Sequence, residues 1–238
     1  VMGIKGKSSD RLKHKRNNRY EEGNKMKNWR AKQFLSVVLA ALSVSALTAC
    51  GAQQEESVDM KPVIYLYPET TEEVSVKLDY AGSLTCTYPA YHDGWTVTAD
   101  PDGTLTDADG QMYNYLYWEG VSDTDYDFSE GYCVAGSDTA AFLEDSLAKL
   151  GLTRQEANEF IVYWLPMMQE NPYNLISFQT DAYTQAAQLA IDPAPDTLLR
   201  VFMAWKPSDT AVDIPAQTLR APARSGFTAV EWGGCMVE

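Results

Sequence analysis

The sequence has 238 residues, with 33 Asp and Glu against 19 Lys and Arg, and a formal net charge of −14. After Cys50 the imbalance is larger, because only 8 basic residues accompany 30 acidic ones and the net charge is −22. Nucleic-acid binding needs clustered basic side chains that displace counterions from phosphates, so we expect no nucleic-acid partner.

The N-terminal region predicts secretion and lipidation. Residues 26–49 contain a basic segment, an apolar run and small residues before a cut, which is the order of a signal peptide. The closing Leu47–Cys50 resembles the bacterial lipobox, which implies cleavage after Ala49 and a lipid on Cys50. The apolar run is shorter than the roughly 20 residues of a bilayer span, so cleavage is favoured over a retained anchor. The lipobox favours lipidation over a plain signal.

The segments on either side of the signal peptide have simpler interpretations. Val1–Lys25 precedes the basic n-region and is interpreted as leader translated from a misplaced start, with a genuine basic extension as the alternative. Gly51–Met60 is polar, acidic and without periodicity, so residues 50–60 are predicted to be a tether. No linker interrupts residues 61–238, which predicts that they form a single domain.

The first half of that domain has the period of β-strands. Val74–Leu78 alternates apolar and polar residues, as a half-buried strand does. Asp100–Gly103 has the Pro and Gly of a turn. We therefore predict a meander of five or six strands, of which the recognisable ones are Val63–Tyr67, Val74–Leu78, Ser83–Tyr88, Trp95–Ala99 and Met112–Trp118.

The period then changes to that of a helix. Ser137 is predicted to cap a first helix that ends at Gly151. Thr153 and Glu156 have the spacing of a capping box, and the apolar spacing of Ala157–Leu165 predicts a second helix that Pro166 stops or kinks. Further strands are predicted at Leu175–Phe178, Gln188–Ile191, Leu198–Trp205 and Phe227–Trp232. The predicted fold class is α+β, a mostly antiparallel sheet with an inserted two-helix hairpin.

Histidine and cysteine offer little for catalysis. His92 is the only histidine after Cys50 and lies in a predicted surface turn, which is favoured over a role as a catalytic base. Cys86, Cys133 and Cys235 have neither metal-knuckle nor redox spacing. One disulfide among the three and three separate thiols are open alternatives.

An acidic loop is a weak candidate for a metal site. Asp123, Asp125 and Asp127 alternate along the chain with Glu130 nearby, so an extended loop would direct their oxygens to one side. Calcium prefers such ligands, but the spacing is not that of an EF-hand. The hypotheses are a calcium site and a solvated loop, and no other cofactor is predicted.

Aromatic residues suggest a second kind of site. Exposed rings bind sugars, and the candidate ligand-binding residues are Trp95, Tyr115, Tyr117, Trp118 and Trp232. Glu119 and Glu231 each adjoin a tryptophan, so they are weak candidates for the carboxylate pair of a glycosidase. Packing in the core is the alternative for these aromatic residues.

Four segments of the domain carry a resemblance to other proteins, and they are Lys61–Glu69, Tyr88–Trp95, Tyr113–Gly120 and Glu231–Gly234. They resemble segments of a family of uncharacterised lipoproteins and secreted proteins common in clostridia-like Firmicutes. The resemblance implies one domain and a Gram-positive source, and it brings no catalytic or binding residues with it.

Together these patterns predict a lipid-anchored protein on the extracytoplasmic face of the cell membrane. The leading hypothesis is a binding module at the cell envelope whose ligand is a glycan, a divalent cation or a protein. The alternative is a carboxylate-based hydrolase acting on polysaccharide.

Overall fold

The computed structural model of the chain describes residues 57–237, and its secondary structure is mainly β. The strands are β1 (Ser57–Tyr67), β2 (Glu72–Tyr80), β3 (Gly82–Tyr88), β4 (Trp95–Ala99), β5 (Leu105–Thr106), β6 (Met112–Tyr113), β7 (Leu116–Ser122), β8 (Tyr132–Ala135), β9 (Tyr173–Phe178), β10 (Ala187–Asp192), β11 (Thr197–Ser208) and β12 (Thr228–Met236). The helices are α1 (Thr139–Lys149), α2 (Arg154–Met168) and α3 (Asp181–Ala186).

The strands form two sheets. One has seven strands in the order β3-β7-β1-β12-β11-β9-β8, and the other has five in the order β10-β2-β4-β5-β6. Neighbouring strands in the described range are antiparallel except β11 and β12, which are parallel. A parallel pair needs a crossover connection, and here residues 209–227 provide it without a helix.

The seven-stranded sheet is the middle of three layers. Side chains alternate between its faces along each strand, so in β1 Ile64 and Leu66 pack against the five-stranded sheet. Val63 and Tyr65 point the other way, into a core shared with α1 and α2. Both faces of the central strands are therefore buried, as their nearly continuous apolar sequence requires.

The helix pair begins and ends close to its predicted limits. Thr153 accepts a hydrogen bond from the Glu156 amide, and the Glu156 carboxylate accepts one from the Thr153 amide, so the predicted capping box is present. Gly151 has φ +84°, the conformation that favours glycine after a helix. Ser137 is not the cap of α1, because it lies in a 3-10 turn and Asp138 precedes the helix. Helix α2 continues through Pro166 for two residues.

The predicted α+β class is wrong, because the domain is mainly β with two packed sheets and a few helices. The predicted meander is also wrong, since β1, β3 and β7 join one sheet while β2, β4, β5 and β6 join the other. Alternation along a strand shows which side chains are buried, but it does not show which strand forms the neighbouring hydrogen bonds.

The limits of one predicted strand and of the predicted tether differ from those in the structure. Met112–Trp118 is not one strand, because it divides between β6 in the smaller sheet and β7 in the larger one. The predicted tether extends too far, since β1 begins at Ser57 and pairs with both β7 and β12. None of the helices in the described range has the length and apolar character needed to cross a membrane.

Candidate functional site

A group of half-exposed tyrosines lies on the helix side of the seven-stranded sheet, beyond the edge of α2. We call it the tyrosine surface. Tyr115 lies just before β7, Tyr117 lies near its start, and Tyr163 comes from α2. Lys61 enters from β1, and Glu119 lies two residues after Tyr117 on the same face of β7.

Lys61 occupies the middle of this surface. Its Nζ atom lies 5.1 Å from the centre of the Tyr115 ring, 5.5 Å from that of Tyr117 and 5.8 Å from that of Tyr163. The ammonium group also donates a hydrogen bond to the Tyr115 hydroxyl at 3.3 Å. These distances are those of cation–π contacts, which hold the three rings and the amine together.

The backbone at Lys61 is strained to reach this position. The pairing of β1 shifts register on both sides between residues 59 and 63, and Lys61 has φ +58° within this bulge. Among the described residues it is the one non-glycine residue with positive φ. Such a conformation costs of order 1 kcal/mol or more and is enriched at functional sites, so the bulge marks this surface as a candidate.

Glu119 adds a carboxylate beside the rings. Burial, followed by the nearby carboxylate of Glu119, raises the pKa of Tyr117. The same two causes raise the pKa of Tyr163. The surface therefore combines aromatic rings and their hydroxyls with an amine on one side and a carboxylate beside Tyr117.

The five predicted ligand-binding aromatics separate into two groups. Tyr115 and Tyr117 are on the tyrosine surface. Trp95, Trp118 and Trp232 are buried in the core instead. The Trp95 indole donates to the Pro89 carbonyl at 2.9 Å, and the Trp118 indole donates to Glu231 at 3.2 Å.

The two predicted catalytic carboxylates are not brought together. Trp118 belongs to the core between the sheets, so its neighbour Glu119 points to the helix side. Glu231 points to the opposite side, where it accepts the hydrogen bond from Trp118. It is fully buried and paired with Arg200 at 2.6 Å. The sheet itself lies between the two carboxylates.

The acidic loop has its carboxylates on the surface. Asp123, Asp125, Asp127 and Glu130 are exposed, while the intervening Tyr126 is buried. Asp127 accepts hydrogen bonds from the hydroxyl and the amide of Ser129, which lower its pKa. Within residues 57–237 no group of three His, Cys, Asp or Glu side chains is arranged to hold a metal ion.

The remaining predicted positions are separate from the tyrosine surface or lie outside the structure. His92 is exposed. Cys86, Cys133 and Cys235 are free thiols, so no disulfide joins them. Cys50, the predicted lipidation site, lies outside the described residues.

A buried carboxylate in β1 escapes prediction from the sequence, because Asp59 lies in the segment predicted to be a tether. Asp59 is fully buried and accepts hydrogen bonds from the hydroxyls of Tyr80 at 2.8 Å and Tyr126 at 2.9 Å. Burial raises the pKa of Asp59 to about 6, although these two bonds oppose the shift. No local signal marks this position, since the start of β1 has no clear apolar period.

The fold and this surface define a mainly β, three-layered domain that presents half-exposed aromatic rings beside its helix pair. The chain matches no protein-family model and no solved structure. It is 46% identical over 90 residues to a protein of Butyrivibrio fibrisolvens described as an uncharacterized protein in the bglA 3′ region. The match covers 37% of this chain and 90% of the relative. The chain therefore belongs to the same family as that Butyrivibrio protein, whose description gives no activity.

Proposed function

We propose that this chain is a lipid-anchored binding module on the extracytoplasmic face of the cell membrane, and that it binds a glycan through the tyrosine surface. The observation that carries the proposal is the convergence of three tyrosine rings on Lys61, with Glu119 beside Tyr117. The resemblance to lipoproteins of Firmicutes supports the location, which stays a prediction.

The chemistry of the tyrosine surface suits a sugar better than the other ligands. A pyranose ring has apolar C–H faces that pack on aromatic rings, and hydroxyls around its edge that bond to polar groups. Tyr117 and Tyr163 supply the rings, and Glu119 and Lys61 supply an acceptor and a donor. Small-molecule sites combine apolar contact with a few placed polar groups in this way.

The anchor would place this surface close to the membrane. Residues 51–56 separate the predicted lipid on Cys50 from the start of β1, and six extended residues reach at most about 20 Å. Two acyl chains hold a protein stably at a bilayer. The net charge of −22 after Cys50 would oppose direct contact between the domain and anionic lipid headgroups at this short distance.

Binding to defined glycans tests the proposal. Calorimetric titration of the full chain in detergent with soluble xylan, β-glucan and peptidoglycan fragments should give saturable binding to one of them. Tyr117→Ala and Tyr163→Ala should each weaken it about tenfold, since each removes an aromatic contact of about 1 kcal/mol or more. Tyr173→Ala is the matched control, because Tyr173 is a half-buried tyrosine of β9 away from the surface.

Two results would overturn the glycan proposal. One is the absence of heat with all three glycans at saturating concentration. The other is an equal loss of affinity in Tyr173→Ala and in the two surface variants, because that loss would reflect stability and not contact.

The anchor has its own test. Cells expressing the full chain and fed a labelled fatty acid should incorporate the label, and Cys50→Ala should abolish it. Label retained in Cys50→Ala, or mature protein that partitions into the aqueous phase of a detergent extract, would contradict the anchor without bearing on the glycan site.

The other hypotheses have less support from the geometry. The hydrolase hypothesis needs Glu119 and Glu231 in one cleft, flanking the scissile bond at a separation of about 5–10 Å, but they point to opposite faces of a packed sheet. A calcium titration monitored by thermal unfolding tests the acidic loop, because a ligand that binds the folded state raises the unfolding temperature. A calcium-dependent rise of several degrees in the unfolding temperature that Asp125→Asn removes would support a calcium site in the acidic loop.

A further inference from the structure

We propose that a second site, at the start of β11, binds a small organic anion in which a phosphate or carboxylate group is attached to an apolar body. The site is a cavity of about 300 Å³ that we call the arginine cleft. Arg200 of β11, Thr180 and Thr184 beside and in α3, and Arg220 of the loop 209–227 contribute its polar lining. Arg200 is on the opposite side of the seven-stranded sheet from the tyrosine surface, so this site is independent of the first.

Arg200 is held rigidly by its surroundings. Its Nε and Nη2 atoms both lie 2.6 Å from the same oxygen of Glu231, its partner across the parallel strand pair. Its Cζ atom lies 4.8 Å from the centre of the Tyr183 ring, which in turn stacks on Phe202 at 4.0 Å. A guanidinium fixed in this way loses little side-chain freedom when it binds a ligand.

Glu231 does not use all the N–H donors of the Arg200 guanidinium, so some are left for a ligand. A guanidinium carries five N–H donors, and a single carboxylate oxygen cannot accept all of them. The Nη2 atom is buried against Glu231, so the donors left for a ligand are those on the part of Arg200 that lines the arginine cleft. The Arg200 side chain is 8% exposed and lines the arginine cleft. Planar, bidentate recognition of carboxylate or phosphate is the chemistry that arginine performs better than lysine.

Arg220 supplies the net positive charge. Glu231 neutralises Arg200, but Arg220 is exposed and has no ion pair within the described part of the chain. Nine residues line the arginine cleft and none is acidic, although 30 acidic residues follow Cys50. Two of the eight basic residues after Cys50 therefore line a cavity that has no acidic residue in its lining.

The rest of the lining sets the class of ligand. The hydroxyl of Thr180 can donate to an oxyanion, whereas that of Thr184 already donates to the Asp181 carbonyl and can accept from a ligand hydroxyl. Leu198, which is 41% exposed, and Pro222 supply apolar surface at the same cavity. The volume is at the lower end of small-molecule pockets, so the ligand is a compact anion with an apolar part.

Titration with simple anions tests the site. Phenyl phosphate, benzoate and inorganic phosphate are titrated into the full chain in detergent, with heat as the readout. Saturable binding of phenyl phosphate or benzoate should weaken about tenfold in Arg220→Gln, which removes one charge-assisted contact. Arg154→Gln is the control, because it removes an equal charge from an exposed arginine that pairs with Glu144.

The outcomes separate the parts of the proposal. Tighter binding of phenyl phosphate than of benzoate assigns a phosphate, and the reverse order assigns a carboxylate. Equal weakening in Arg220→Gln and Arg154→Gln would overturn the site, because the effect would then be one of net charge. The absence of saturable binding by any probe at millimolar concentration would overturn it too. Arg220 is exposed, so its variant is expected to fold.

Discussion

The two faces of the seven-stranded sheet both carry charged groups beside tyrosines, but the surroundings of those groups differ. On the face toward the five-stranded sheet, Asp59, Arg200 and Glu231 are buried and bonded to protein partners. On the helix side, Lys61 and Glu119 lie among tyrosines that are half exposed. Apart from the arginine cleft, the first face is sealed by packing, and the second is open to a ligand along the tyrosine surface.

This contrast separates the residues that stabilise the domain from those that are free to bind. A buried charge is costly unless it is paired, so loss of a partner on the sealed face should strongly destabilise the fold. An exposed charge over aromatic rings contributes little to folding because water can replace its contacts. Variants on the sealed face should therefore report on stability, and variants on the open face should report on binding.

Breaking the Arg200–Glu231 pair should have the largest effect. Arg200→Met leaves a carboxylate buried without its partner, so we expect a loss of about 3–5 kcal/mol in the free energy of unfolding, measured by urea denaturation. The double variant Arg200→Met with Glu231→Leu should recover most of it, since an apolar pair can replace an ion pair.

The surface pair Arg154–Glu144 is the control for this comparison. Both side chains are at least half exposed, so Arg154→Met should cost less than about 1 kcal/mol. A loss in Arg200→Met no larger than that in Arg154→Met would show that the sealed face does not depend on the pair.

Asp59 should make stability depend on pH. Its folded pKa of about 6 is above its ordinary value of 3.8, so its contribution to stability is complete below about pH 3.8 and is lost as pH rises through 6. A pKa difference of about two corresponds to roughly 3 kcal/mol. The free energy of unfolding of Asp59→Asn minus that of the natural chain should therefore increase by about that amount between pH 3 and pH 8.

Urea denaturation of both proteins across this pH range measures the effect. Asp79→Asn is a suitable control, because it makes the same substitution at an exposed position of β2. Parallel curves for the natural chain and Asp59→Asn would mean that the Asp59 carboxyl titrates in the folded protein as it does in the unfolded one.

Local signals in the sequence predict most of the elements but not their arrangement. The capping box at Thr153 and the turn at Gly103 depend on neighbouring residues, and both are where they are predicted. The partners of β1 are β7 and β12, and Met60 pairs with Gly234 near the other end of the chain. No local pattern specifies such distant pairing, which is why the predicted fold class is wrong.

The candidate sites are predictable to a similar degree. Tyr115 and Tyr117 can be identified because aromatics alternate along the sequence that leads into β7. Lys61 and Tyr163 cannot, since they come from a bulge and from a helix that only the fold brings to that strand. Arg200 and the residues of the crossover loop are far apart in the chain, so their shared cavity has no signature in the sequence.

Removing the capping box on the helix side should have an intermediate effect on the free energy of unfolding. Thr153→Ala removes the hydroxyl that accepts the Glu156 amide, so we expect a loss of about 1 kcal/mol in the free energy of unfolding, measured by urea denaturation. Thr153→Ser keeps that hydroxyl and should lose only a few tenths of a kcal/mol. Equal losses in the two variants would show that the methyl group, and not the cap, matters at this position.

Replacing Lys61 should have the smallest effect on the free energy of unfolding. Lys61→Met keeps the length of the side chain and removes its charge, so the loss of exposed cation–π contacts should cost about 0.5–1 kcal/mol, again by urea denaturation. Lys77→Met, at an exposed position of β2, is the control and should be near neutral. A loss of several kcal/mol in Lys61→Met would place Lys61 with the buried charges of the other face. A small loss would mean that folding gains little from Lys61, although its backbone is held in a left-handed conformation, and a requirement for binding would then account for that conformation.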